Sequence, residues 1–362
     1  FDSRNILTGA ILLPASTYRE APRVDAFWKE LERRVTALPG VSAVAFTDSR
    51  PPDDAQDQNN FELEAFPTAP GGSQPVTTWV SVTPEYFTLM GLTLHEGRLL
   101  RNTDGGDGPS VVVVDRAWAR RFFPGQSAIG KRLRGGGCTD CPWTTVVGVV
   151  SEVKYDGLGT PDRGIVYWPM TDRGVSAFDV VSSRFRYLVV RTGSDPSALA
   201  PTLRRTVAEL DSSLAFSNVA TIDELVDSSL QVPRSLSILI GGFAAASLLL
   251  SVVGIYGVMA HFVQQRGKDI SIRLALGGTP SSVGRMVVND GLKLVAGGVA
   301  AGLVAGFMLS RWMSALLYGA AATDAFVYLA VATLMFVVAT AACVVPVRRA
   351  VRVDPAAVLR AD

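Results

Sequence analysis

Residues 236–262 read LSILIGGFAAASLLLSVVGIYGVMAHF, and no Asp, Glu, Lys or Arg stands between Arg234 and Arg266. An apolar helix needs about 20 residues to cross roughly 30 Å of hydrocarbon, so this gap is long enough for one crossing. Two further uncharged runs follow. Residues 294–310, extended at the start by Gly291 and Leu292, lie near the short limit of about 17 residues, with Lys293 and Arg311 able to snorkel at the ends. Residues 325–347 are again free of charge. The pattern predicts three membrane spans at about 236–262, 291–311 and 325–347; the alternative of three buried helices in a soluble core rarely produces three such runs in succession.

Working outward, the short connections set the orientation. Arg266, Lys268, Arg273, Arg285 and Lys293 separate the first two spans, and Arg348, Arg349, Arg352 and Arg360 follow the third. The segment from Trp312 to Asp324 carries only Asp324. Basic loops stay in the cytoplasm, which puts the large N-terminal region on the other side of the membrane. Trp312, Tyr318 and Tyr328 flank the outer loop and suit an interfacial aromatic belt. Gly298, Gly302 and Gly306 recur every four residues, so they fall on one helix face where another helix can approach closely.

Hydrophobic types make up 48% of the 362 residues and the formal net charge is +1, which gives no footprint for nucleic acid. That average hides two regions: 1–233, which holds nearly all the acids and most of the prolines, and the apolar 234–362. The chain opens at Phe1 without an initiator Met or a signal-peptide pattern, and an upstream anchor is expected to belong to the same polypeptide. The first region reads as α+β. Strands are expected at 5–14, 41–47, 61–66, 77–82, 111–114, 144–150, 187–191 and 215–220. Helices are expected at 22–38, 84–90, 116–123, 198–210 and 222–230, the last leading into the membrane, and the polar stretch 48–60 reads as a loop. The fold class is thus an α+β extracytoplasmic domain, divisible into two subdomains, followed by an all-α membrane domain of three transmembrane helices.

Catalytic signatures are missing. There is no GxxxxGK(S/T) phosphate loop; Gly135, Gly136 and Gly137 precede Cys138. No GxSxG elbow appears, and His95 and His261 are the only histidines, too few for a His-based catalytic metal site. No cofactor is expected, and the chain is not expected to hydrolyse ATP. Cys138 and Cys141 form a CxxC pair. Outside the cytoplasm its plain reading is a structural disulfide closing a Gly-rich hairpin; a redox motif and half of a zinc site are the alternatives.

The run RGKDISIRLALGG at 266–278 resembles the signature R-x-(K/R)-E-I-G-I-R-x-A-L-G-A of FtsX-like and MacB-like ABC transporter permeases, with Asp269, Ser271 and Gly278 in place of the Glu, the first Gly and the Ala. The tail PVRRAVRVDPAAVLR at 346–360 is similar to that family's closing motif, and LPGV at 38–41, VTPEYF at 82–87 and VGVVSEVKYDGL at 147–158 look like its periplasmic core domain. The resemblance is strongest to chains carrying two copies of core domain plus permease, this being the second. It implies the bacterial inner membrane, a separate cytoplasmic ABC ATPase, a second permease copy in the same polypeptide or a homodimer, and a periplasmic adaptor. In such permeases ATP-driven motion is transmitted to the periplasmic domain. It also implies ATPase coupling through Arg266, Lys268, Asp269, Ile270, Arg273, Leu274, Gly277 and Gly278. On a helix Arg266, Asp269 and Arg273 form one stripe, which Gly277 and Gly278 would end; anchoring to lipid headgroups is the plainer alternative. A non-transport signalling or scaffold protein acting on a periplasmic partner is the alternative function, and gene neighbourhood separates the two.

Overall fold

The computed structural model describes residues 2–265 apart from 53, 56, 70, 106–109, 139–140, 156, 158–162 and 171–183. Beyond 265 it describes 296–308, 329–338 and the positions 279, 285, 289, 293, 326 and 340–341. Contacts divide the chain into two compact units, Phe1–Val232 and Pro233–Asp362.

In the first unit, β1 (Ile6–Leu12) leads to helix α1 (Ala21–Thr36), then β2 (Val41–Thr47), β3 (Asp57–Leu63) and β4 (Val76–Val82). Helix α2 (Glu85–Leu89), β5 (Leu94–Gly97), β6 (Val111–Asp115), helix α3 (Arg116–Phe122), β7 (Arg132–Gly135), β8 (Thr144–Val150) and β9 (Ile165–Pro169) follow. Then come β10 (Phe185–Thr192), a 3-10 turn at Pro196–Leu199, helix α4 (Ala200–Leu210) and β11 (Ser217–Thr221). The mixed sheet has two regions. Strands β11, β1, β10 and β2 are antiparallel neighbours with one edge open. Strands β4, β3, β7, β8, β6 and β9 pair in that order, and β9 pairs back to β4, closing a six-stranded ring. Closure removes two sheet edges that would otherwise expose unpaired backbone groups; β5 pairs alongside β8.

Each region has its own core. On α1, Val24, Phe27, Trp28, Leu31 and Val35 recur at helical spacing and are buried. With Leu203 and Val207 of α4 they cover the open strands through Leu7, Ile11, Phe46, Leu188 and Val190. Trp28 meets Phe46 edge to face at 5.3 Å between centroids, and the buried Arg186 guanidinium sits 4.9 Å above the Trp28 ring. Truncating a buried aliphatic such as Leu31 to Ala costs about 2–5 kcal/mol in sites of this kind. In the closed region every strand contributes to one cluster, including Phe61, Val112, Leu133, Val146, Val166 and Trp79, which α3 joins through Trp118. A third cluster is shared: Ile6, Ala45 and Val189 of the open strands meet Val82, Val113 and Tyr167 of the closed ones around Tyr86, Phe87 and Met90.

Strand and helix positions follow the sequence expectations, with four differences. Stretch 48–60 is not loop throughout, since β3 begins at Asp57 and pairs Asp57–Asn60 with Trp79–Val76. Strands β5, β7 and β9 have no counterpart in the sequence reading. Strands β5 and β7 are four residues each; β5 is exposed throughout and β7 buries only Leu133 among charged residues and a glycine, so neither carries an apolar period.

In the second unit, helix α5 (Ile222–Gln265) continues from the first, α6 covers Ala296–Met308 and α7 covers Leu329–Val338. Among the described residues, α5 alone is long and apolar enough to cross a membrane; α6 and α7 are shorter apolar helices within the expected spans.

Candidate functional site

Among the described residues no catalytic centre stands out, and no group of three or more His, Cys, Asp or Glu side chains is placed to hold a metal. Helix α5 is rooted in the first unit. Strand β11 ends at Thr221 and α5 starts at the next residue. Thr221 Oγ1 accepts from the Glu224 backbone N–H at 3.1 Å, and the Thr221 N–H donates to Glu224 Oε2 at 2.8 Å. This reciprocal pair is a capping box, which satisfies two otherwise orphaned donors at the helix start. Asp223 and Glu224 also place negative charge in the first turn, where the helix dipole favours it. The same turn is packed as core: Ile222 is 1% exposed and Leu225 9%, both within the cluster around Tyr86 and Phe87.

The chain's entry is fastened nearby. Strand β1 runs antiparallel to β11 with Leu7 opposite Thr221. Just before β1, the Asp2 N–H donates to the Met90 carbonyl at 3.0 Å. Arg191 of β10 donates to the Leu89 carbonyl at 2.7 Å and to the Asp2 carbonyl at 3.0 Å. One guanidinium, with five donors in a rigid fork, thereby ties entry segment, α2 and β10 together. Further along, α5 presents Leu236, Ile238, Leu239, Ile240, Phe243, Leu249, Leu250 and Val253 with 48–73% of their surface exposed. A continuous apolar surface of that size suits lipid, not water.

The residues singled out from sequence fall as follows. The coupling segment 266–278, with Arg266, Lys268, Asp269, Ile270, Arg273, Leu274, Gly277 and Gly278, lies outside the described residues. Gly298, Gly302 and Gly306 lie on α6, exposed, and no described atom would come within 4 Å of a Cβ placed at any of them. Cys138 and Cys141 are joined by a disulfide, with Cα atoms 5.5 Å apart. It lies in the hairpin connection between β7 and β8, beside Trp143, whose ring is 4.5 Å from the Arg134 guanidinium. His95 is on exposed β5, and His261 contacts Gln265 one turn along α5. Sequence reading passed over the capping box, although Thr221-x-x-Glu224 ahead of an apolar run is its signature. Arg191 carries no such signal; its role depends on strands far apart in the chain.

A mixed α/β domain whose last strand feeds a long lipid-suited helix defines a membrane protein with a folded domain carried on that helix. The chain belongs to the MacB-like and FtsX-like ABC transporter permease family: residues 5–206 match the family model of the MacB-like periplasmic core domain, and residues 241–355 match that of the FtsX-like permease C-terminal region. It is 24% identical over 296 residues to the probable export ATP-binding/permease protein MacB of Pseudomonas entomophila (strain L48), covering 78% of this chain and 42% of that one. It is 25% identical over 303 residues to the macrolide export ATP-binding/permease protein MacB of Acinetobacter baylyi, covering 79% and 43%. The uncharacterized ABC transporter permease YvrN of Bacillus subtilis matches at 24% over 247 residues, covering 64% and 58%. The chain therefore spans less than half the length of the two MacB relatives. The crystal structure of the periplasmic region of MacB from Actinobacillus actinomycetemcomitans aligns over 63% of this chain and 94% of that one, with a TM-score of 0.42 and 15% identity.

Proposed function

We propose that this chain is the permease component of an ABC-type export system in the bacterial inner membrane, with residues 1–233 in the periplasm and three spans at about 236–262, 291–311 and 325–347. ATP is hydrolysed by a separate cytoplasmic subunit. Motion of that subunit enters through segment 266–278 and reaches the periplasmic domain along α5. A second permease copy, in the same polypeptide or as a homodimer, completes the membrane part, and a periplasmic adaptor receives the motion. The observation that carries this reading is the root of α5: a capped first turn packed into the domain core through Ile222 and Leu225, in one helix with the exposed apolar turns. At about 1.5 Å per residue its 44 residues extend roughly 66 Å, about twice the hydrocarbon thickness. A helix held at its base by packing and capping passes displacement into the domain; one tethered by a loose linker would dissipate it.

Docking at 266–278 rests mainly on the resemblance of that run to the family signature, and its charge gives the test. Arg273 reversed to Glu should weaken recovery of the partner ATPase several-fold in pull-downs at equal membrane levels, because a desolvated interfacial charge pair becomes a repulsive one. Membrane insertion should be unchanged. Equal recovery of wild type and variant across a range of salt would make the segment a headgroup anchor.

A further inference from the structure

The open and closed strands meet along a narrow seam. Strands β2 and β4 share one ladder pair, Thr47 with Val82. Two backbone bonds flank it, from the Asp48 N–H to the Ser81 carbonyl at 3.2 Å and from the Thr83 N–H to the Phe46 carbonyl at 3.1 Å. Side chains extend the seam on both sides. Thr83 Oγ1 accepts from the Phe46 N–H at 3.0 Å, and Asp48 Oδ1 accepts from the Ser81 N–H at 3.0 Å while also receiving the Ser49 hydroxyl at 2.9 Å. Asp48 thus fastens the two regions directly, through its main chain and its carboxyl group together. Thr47 and Ser49 on either side of it are fully buried.

The surroundings of that carboxyl group are unusual for an acid. Facing it among the described residues are Ser49 on its own turn, Ser81 on β4, Asp57 on β3 and the buried phenol of Tyr86 on α2; no Lys or Arg pairs with it. The residue keeps some accessible surface, but the carboxyl itself is packed among protein atoms, and those near atoms decide its desolvation. Burial is the largest influence and Asp57 adds like-charge repulsion. Against them the Ser49 and Ser81 donors favour the ionised form, and the balance pushes the group up to about 7.

We propose that Asp48 is a proton-operated clasp on the β2–β4 seam: with its proton on, it holds the two regions together, and with the proton off, it lets the seam open more readily. Opening would give the carboxylate water and distance from Asp57, so opening is favoured by ionisation. Because the closed form holds its proton more tightly than an ordinary carboxyl does, the clasp's contribution is fully present below about pH 4. It is lost as pH rises from there through about 7. The clasp lies wholly within the first unit and does not depend on transport.

The test is hydrogen exchange of the full chain in lipid nanodiscs at pH 5 and pH 8, corrected for intrinsic exchange, read at the amides of Ser81 and Thr83. Wild type should lose protection there by roughly ten- to a hundredfold at the higher pH. Asp48→Asn keeps the Oδ1 acceptor and carries no charge at either pH, so its protection should not change with pH. Asp57→Asn removes the neighbouring charge and should move the wild-type transition to lower pH. The same pH dependence in Asp48→Asn as in wild type would overturn the clasp. If Asp48→Asn does not accumulate as folded protein, the wild-type profile decides: unchanged protection between pH 5 and pH 8 refutes the proposal.

Discussion

Asp115 is the last residue of β6 and the N-cap of α3, and its buried carboxylate serves both ends of that junction. Oδ1 accepts from the Trp118 N–H at 2.8 Å, which caps the helix, and from the Ile165 N–H at 3.0 Å, which fixes the start of β9. The residue before Ile165 is Gly164, with φ +85°, where a Cβ would come within 2.7 Å of the Trp118 Cα. Only Gly takes that backbone conformation without strain while letting α3 approach so closely. Asp115→Ala removes a cap worth about 1 kcal/mol and leaves a buried N–H unsatisfied at about 1–3 kcal/mol, so a loss of roughly 2–4 kcal/mol is expected. Denaturant unfolding followed by tryptophan fluorescence reads it, since Trp118 lies at the junction. Asp115→Asn, which keeps an acceptor oxygen, should lose less; wild-type stability in both variants would sink this account. Of this junction, the sequence displays the start of α3, where Asp115 precedes a helical pattern. The bond to Ile165 is invisible there, because it joins residues 50 positions apart.

Elements were legible where burial imposed a period. Strand β2 and strand β8 lie where their apolar runs predict, and α1 shows its core face through Val24, Phe27, Leu31 and Val35. Strand β7 reads Arg-Leu-Arg-Gly and is held by cross-strand charge pairs instead, with Arg132 bonded to Glu64 and Arg134 to Glu62. Its partners must be known before it can be seen as a strand. The first residues of β3, Asp57 to Asn60, are polar for the same reason: a neighbour's ladder makes them a strand, and their largely exposed side chains leave no trace of it. On α6 the glycine spacing is a property of the element itself. Gly298, Gly302 and Gly306 share one face, which stands open among the described residues and suits close approach by a second helix. Gly302→Leu would hold such a helix away by a whole side chain. We expect the detergent-solubilised variant to show a smaller assembled fraction in size-exclusion chromatography and a lower melting temperature than wild type. Normal assembly would make the face lipid-facing surface.

Across the whole molecule, charge divides more sharply than in any single element. Residues 235–265, 294–310 and 325–347 hold no formal charge, whereas Lys and Arg gather in the segment between the first two runs and in the tail after the third. Hydropathy made the long apolar helix α5 legible because lipid tolerates so few residue types; the closed ring of six strands was hidden, since closure depends on which strands pair and not on what each contains. What hydropathy leaves to be tested is direction. Nine basic residues in the first-to-second connection and the tail, against the lone Asp324 in the outer loop, predict that Ala320 faces the periplasm and Ala357 the cytoplasm. The measurement is labelling of single cysteines with a membrane-impermeant maleimide. A Cys343→Ser background removes the native thiol, while Cys138 and Cys141 are occupied by their disulfide. Ala320→Cys should label in spheroplasts without lysis, and Ala357→Cys only after the membrane is opened. The reverse pattern would invert the orientation and place residues 1–233 in the cytoplasm. Labelling of both without lysis would put Ala320 and Ala357 on the same side, which requires the run 325–347 that separates them not to span. The two outcomes fail differently, so the experiment separates an error in orientation from an error in the number of spans.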